Sequence, residues 1–577
     1  MRRTHCTWLS IVLCSVGCTG AINGGAASPE DGDASDGGEG GTPSGGATQI
    51  PPAPEPRFAN ATLVNVDRGA PCAPQGLKPT SSRRLSHSEY VQTLQDLFPG
   101  RSLPPVSFSS DQAFFGFDNI NLFLSTTTVA QYAEAAFAVA KAVTDGNLQG
   151  LVGCDPAQAA CAATFVKGFG ARAYRRPLLT QEVDKLVAFF DKQRSAISPR
   201  AAVELTIAAM LQSPQFLLRL ETTGVGDSKP ARVKSYEMAT RLSYMVWGSM
   251  PDPELTAAAN GQLDTDAGVR SQLERMLKKD NAEPAARSMS EFVVKWLHLD
   301  KVQNESLEKD PALFPDWSPT VAAKVVDESR RFVATVFQSN GSFVDLLTSR
   351  KASVASGVAE ILGQTNTSAA WKEIELPAAE RAGILTRPAF LAGVAKQSYG
   401  SPPLRGVEIM QQVLCIKPLP PPDNLDLTVR EEAKPGEVLS NRDRFEEKTK
   451  QSACIGCHTQ IDGFGMPFES YDAIGRFRKM DGGKPVNASG QILGADEATD
   501  GDVADALALS QRLSQSEQAK FCFAVNWNRR SSGAVEGPDQ WCQLDAIYDS
   551  FETSKGALRA LPFATIGTAA FTSRLAD

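Results

Sequence analysis

Apolar residues recur at helical spacing along most of the chain from about residue 85 onward. Ser86-His87-Ser88-Glu89 has the form of a capping box, and Val91, Leu94, Leu97 and Phe98 follow it on one helical face. Residues 129–143 form an Ala-rich amphipathic run. Thr180 is expected to cap a further helix carrying Val183, Leu186, Val187 and Phe190. Residues 201–221 predict a long apolar helix bent at Pro214. Helical spacing continues over 237–247, 269–279 and 285–299. Ser318-Pro319 then opens a helix over 320–338, with proline at its first position. A last helical block covers 503–550. No alternating run is long enough to demand a large sheet, so the chain is predicted to be mainly α.

Breaks in this pattern suggest the organisation. Residues 224–230 separate two helical blocks, 303–317 form a polar connector, and Pro418 to Pro422 is a stiff polyproline segment. The expected segments are 1–18, 19–80, 81–150, 151–223, 224–375, 376–482 and 483–577.

The first two segments differ from the rest. Arg2-Arg3 precede a short apolar run, residues 8–13, too brief to span a bilayer, which reads as an export signal. Ser15-Val16-Gly17-Cys18 resembles a bacterial lipobox, with Ser15 where leucine is usual. This resemblance implies that Cys18 is acylated, and Thr19 after it points to the outer membrane. Residues 20–56 are Gly, Ala, Ser, Asp and Pro with little to bury, the composition of a flexible tether. The expected location is therefore the periplasm or cell surface, with membrane contact through the N-terminal lipid alone.

The 577 residues are 42% hydrophobic and 21% charged, ordinary for a globular protein, with a net charge of -8. That balance argues against a nucleic-acid partner, which calls for a basic surface. Of 11 cysteines, Cys6, Cys14 and Cys18 lie in the signal and Cys454 and Cys457 in the motif described next. The remaining Cys72, Cys154, Cys161, Cys415, Cys522 and Cys542 suit disulfides in an exported protein. Nearness in sequence suggests Cys154–Cys161 and Cys522–Cys542, leaving Cys72–Cys415.

Cys454-Ile455-Gly456-Cys457-His458 carries the most specific chemistry. Two thiols that add across vinyl groups and an imidazole for the iron are what one covalent haem c requires, and one helical turn supplies them. A thioredoxin-type pair would need a βαβ context, and a zinc site a second Cys/His pair; neither is present nearby. His458 is the expected iron ligand. Met480 and Met466 are the candidates for the opposite face, beside an open or water-bound position or an upstream ligand such as Met410 or His87. His298, on an apolar helix, reads as a packed residue. Arg476 and Arg478 are candidates to hold the haem propionates, with Asp472 orienting them.

The residues around the motif resemble a family. The segments 381–386 (RAGILT), 401–407 (SPPLRGV), 461–465 (IDGFG) and 468–478 (FESYDAIGRFR), with 84–90, 173–178 and 242–252 upstream, are similar to planctomycete-type multi-domain cytochrome c-like proteins. Gly463 stands where that family commonly has proline, and Met466 is a local feature of this chain. The resemblance covers about residues 80–577 and implies an exported haem c protein without naming a substrate. The expected function is electron transfer with an unidentified redox partner. The alternatives are a haem oxidoreductase of peroxidase or oxygenase type with an open distal site, and a surface-binding protein with a structural haem.

Overall fold

In the computed structural model, residues 83–574 are described except for 110–112, 115, 119–124, 223–229, 279–280, 305–306, 367, 423–427, 431–436 and 538–539. The export signal, the tether, Cys18 and Cys72 lie outside the described residues. The described part is mainly α, and its strands pair only into two-stranded sheets. Among the described residues no helix is long and apolar enough to cross a membrane.

Local signals set most helix ends. Ser86 accepts from the Glu89 N–H while Glu89 accepts from the Ser86 N–H, completing the capping box of His87–Leu97. Two expectations change. The helix Thr180–Ala196 begins one residue earlier than a Thr180 cap implies, since Leu179 is the N-cap and its N–H donates to Glu182. The run over 201–221 is not one bent helix. Pro199–Leu211 stops at Gln212, and Pro214 begins a separate short helix, Pro214–Leu217, capped by Ser213. Proline has no N–H for the preceding turn, so it starts a helix more readily than it continues one.

Two apolar cores result. The first gathers residues between Leu85 and Leu217 together with Tyr244 and Met250. The second draws on Phe117 and on residues from Val233 to Ile566, so the expected segments 224–375, 376–482 and 483–577 all contribute to it. The helix Ser235–Trp247 serves both, sending Tyr244 to the first core and Met245, Val246 and Trp247 to the second.

Disulfides link buried segments of the chain. Cys154 and Cys161 are joined. Cys415 pairs with Cys522 rather than with Cys72, and the expected Cys522–Cys542 bond is absent. Cys542 is disulfide-bonded too. Nearness in sequence failed here because the helix Glu517–Ser532 packs against the segment 409–415. Trp296 Nε1 and Gln518 Nε2 donate to the Gln412 and Leu414 carbonyls at the same junction.

Candidate functional site around the Cys454–His458 turn

The motif is delivered by a pair of helices. Ser440 and Asp443 form a reciprocal capping box that starts Asn441–Thr449. The chain then turns, with the Cys454 N–H donating to the Gln451 carbonyl, and enters the helix Ile455–Gly465. Cys454 is buried and Cys457 exposed, and both thiols are free. Ile455 between them is 46% exposed, so this turn faces outward.

His458 is partly buried, and its Nδ1 lies 3.0 Å from Asp462 Oδ1, one turn along the same helix. An ionised carboxylate only accepts hydrogen bonds, so this contact puts the imidazole proton on Nδ1 and leaves Nε2 with its lone pair. Two free thiols and an Nε2 donor on one exposed turn fit a covalent haem. Among the described residues no three His, Cys, Asp or Glu side chains converge on one point as a metal held by protein alone would require.

The rest of the helix is gripped from both sides. A Cβ on Gly406 would lie 2.0 Å from the Ile461 carbonyl, so glycine there lets Pro402–Glu408 lie directly on the motif helix. A Cβ on Gly463 would lie 2.1 Å from the Gln491 carbonyl, and the strand Gly490–Ile492 occupies that side. Beneath the helix end, Arg405 donates to Glu469 at 2.8 Å with both side chains buried. Asn441 Nδ2 reaches both Glu469 oxygens, at 3.1 and 2.9 Å. Burial pulls the Arg405 pKa below the ordinary guanidinium value, and the Glu469 carboxylate opposes that pull.

The other expected site residues are placed differently. Arg478 belongs to this clamp: it donates to the Glu469 carbonyl at 3.1 Å and to Asp481 at 2.5 Å. Arg476 pairs with Asp316 at 2.8 Å. Asp472 accepts the Ile474 and Arg476 N–H groups and so shapes the turn at Gly475. The arginines expected to meet propionates are thus engaged in protein contacts.

Met466 is buried at the end of the motif helix, where a 3-10 turn, Met466–Phe468, continues it. Eight helical residues carry it roughly 12 Å along the axis from His458, on a rigid path that does not cross to the opposite side of a ring. Met480 is 54% exposed on the hairpin of Met480–Asp481 and Lys484–Pro485. Asp481 accepts from the Asn441 N–H at 2.6 Å, which ties this hairpin to the clamp at the Gly465 end of the motif helix.

Of the remaining histidines, His298 ends a helix in a left-handed conformation and meets Glu408 at 2.5 Å through Nδ1. His87 is not solvent-facing as its capping position suggests; it stacks on Phe108 with ring centroids 4.3 Å apart.

Four family models match the chain in succession. They are PSD3 (DUF1587) over residues 83–145, PSD5 (DUF1595) over 161–221, PSD4 (DUF1592) over 233–363 and PSCyt3 (DUF1588) over 381–481, each described as a protein of unknown function. These four models belong to the planctomycete-type multi-domain cytochrome c families. The PSCyt3 match contains the Cys454–His458 motif, Asp462 and every residue of the Arg405–Glu469 clamp. No curated protein and no solved structure matches this chain.

Proposed function

We propose that this cytochrome c-like multi-domain protein carries one haem c bound through Cys454 and Cys457, with His458 as the iron ligand, and works as an exported electron-transfer protein. The observation that carries the reading is the His458–Asp462 contact beside two free thiols on an exposed turn. The bound haem supplies one-electron exchange with iron. The protein's own residues set its conditions: Asp462 fixes the imidazole tautomer and orientation, and the Arg405–Glu469 clamp holds the helix that presents the turn. An edge at an outward-facing turn suits exchange with a docked partner, and the N-terminal helical blocks offer the docking surface. Export and lipid attachment at Cys18 belong to the same reading, since covalent haem attachment takes place outside the cytoplasm.

The experiment is expression alongside a haem c maturation system, followed by acid extraction and a pyridine spectrum. Haem that resists extraction and gives the spectrum of two thioethers is expected, with loss of covalent attachment in Cys457→Ala. Extractable haem, or none, overturns the reading. A haem oxidoreductase with an open distal position is the second reading. It is favoured by the placement of Met466 in the core and of Met480 at the far end of the motif helix.

A further inference from the structure

A cavity of about 530 Å³ lies along the seam between the two cores, away from the haem motif in the fold. Tyr244 of the first core and Trp247 of the second, from one helix, both line it. Its size falls within the usual range for small-molecule sites, which concentrate where cores or domains meet. Part of its wall is aromatic: His87 stacks on Phe108, and Phe117 stacks on Phe292 at 5.8 Å.

Its charge runs against that of the chain. The net charge of the protein is -8, yet arginine and lysine outnumber aspartate and glutamate six to three among the lining residues, with Arg287, Lys295 and Arg529 also paired to Glu283, Asp300 and Glu536 beyond the lining. The three acids are already engaged. Glu291 pairs with Arg330 at 2.6 Å, Asp118 lies 3.6 Å from Lys295, and Glu89 caps its own helix at Ser86 and lies 3.6 Å from Arg219. Arg530 binds only neutral acceptors, the Met245 carbonyl at 2.7 Å and Ser288 Oγ at 2.5 Å. Burial lowers its pKa to about 10, with Glu89 and Glu291 opposing from farther off. Arg219 Nε and the indole N–H of Trp247, itself 7% exposed, have no hydrogen-bond partner. Guanidinium groups and donors in a sheltered cavity are costly unless an acceptor meets them.

We propose that this cavity binds a small organic anion, a carboxylate on a flat aromatic or apolar body, with Arg219 and Arg530 holding the charge. A planar carboxylate matches the guanidinium fork, supplies an acceptor for Arg219 Nε and the Trp247 indole N–H, and meets the positive charge of Arg530, whose present acceptors are neutral. The stacked aromatic pairs take the apolar body. Three of the four family-matched segments meet here, through His87, Arg219 and Trp247, and the helix Glu517–Ser532 adds Arg530.

The test is titration calorimetry of the full-length protein with 2-naphthoate and with the uncharged 2-naphthamide. Naphthoate is expected to bind one to one, and the amide at least about tenfold more weakly. Arg219→Gln is expected to weaken naphthoate by about tenfold and leave the amide unchanged, with the thermal midpoint preserved. Trp247→Phe removes the indole donor while keeping an aromatic wall, and should weaken naphthoate too. Failure of the wild-type protein to bind naphthoate, equal binding of acid and amide, or unaltered naphthoate binding in Arg219→Gln overturns the proposal. Arg530→Gln is a second charge variant. Should it unfold, the acid–amide comparison and Arg219→Gln still decide. None of these readouts depends on haem, so the outcome is independent of the proposed redox function.

Discussion

Arg405 and Glu469 form a buried ion pair, 2.8 Å apart, that joins the helix beneath the haem motif to the turn that follows it. Removing Glu469 leaves Arg405 charged and buried without a carboxylate, and removing Arg405 leaves the buried Glu469 with only Asn441 and the 3.4 Å contact to Arg478; breaking such a pair typically costs about 3–5 kcal/mol. Arg405→Leu and Glu469→Leu are each expected to lower stability by that order. The double variant should recover part of the loss, because no lone charge remains. Denaturant unfolding of the three proteins measures this, and additive losses would mean the pair is not coupled.

The Asp462 carboxylate faces Nδ1 of His458. An anionic partner makes the imidazole more electron-donating and favours ferric over ferrous iron. Asp462→Asn keeps a hydrogen-bonding group but removes the charge, so the midpoint potential should rise. A tenfold change in relative affinity corresponds to about 59 mV for one electron, and a shift of that order is expected. Redox titration checks it, with the pyridine spectrum confirming that covalent attachment is intact.

Met466 is buried in the turn that ends the motif helix and Met480 is exposed on a hairpin tied to Asn441. Reduced wild-type protein is therefore expected to bind carbon monoxide promptly, and Met480→Ala should leave its spectrum and carbon monoxide binding unchanged. Met466→Ala should cost about 2–5 kcal/mol of stability by opening a cavity, without altering the haem spectrum. A sulfur-to-iron near-infrared band lost in Met480→Ala would show that the hairpin moves to deliver its thioether.

The bond between Cys415 and Cys522 closes a sequence separation of 107 residues. In the chain-entropy account a loop of that length contributes about 4–5 kcal/mol. Replacing both cysteines by alanine should cost stability of that order. Non-reducing peptide mapping should recover Cys415 linked to Cys522 in the wild-type protein and in Cys542→Ala. A Cys522–Cys542 peptide would contradict the fold of the C-terminal helix.

Much of the local structure is legible in the sequence. The Ser86 capping box is two short-range hydrogen bonds, and the helix after it follows from spacing. The outward turn of Cys454–His458 needs only that a helix begin there. His458–Asp462 is an i,i+4 pair, a spacing visible in the sequence that the expectations above did not draw on. The polar residues at 476 and 478 illustrate the opposite case. Nearness to His458 gives no hint that Arg476 pairs with Asp316 and Arg478 with Glu469 and Asp481. Asp316 is 160 residues away, and no pattern near the motif marks it.

What the sequence determined by itself is the mainly α class, most helix positions and the grouping of two thiols and an imidazole on one turn, because each arises from interactions within a few residues. Only the tertiary structure decided the Cys415–Cys522 pairing, the burial of Arg405 with Glu469, the burial of Met466, and the arginine-lined cavity between the cores. Each depends on which helix faces meet, and that is set by the summed burial of many apolar side chains distant in sequence rather than by any local preference.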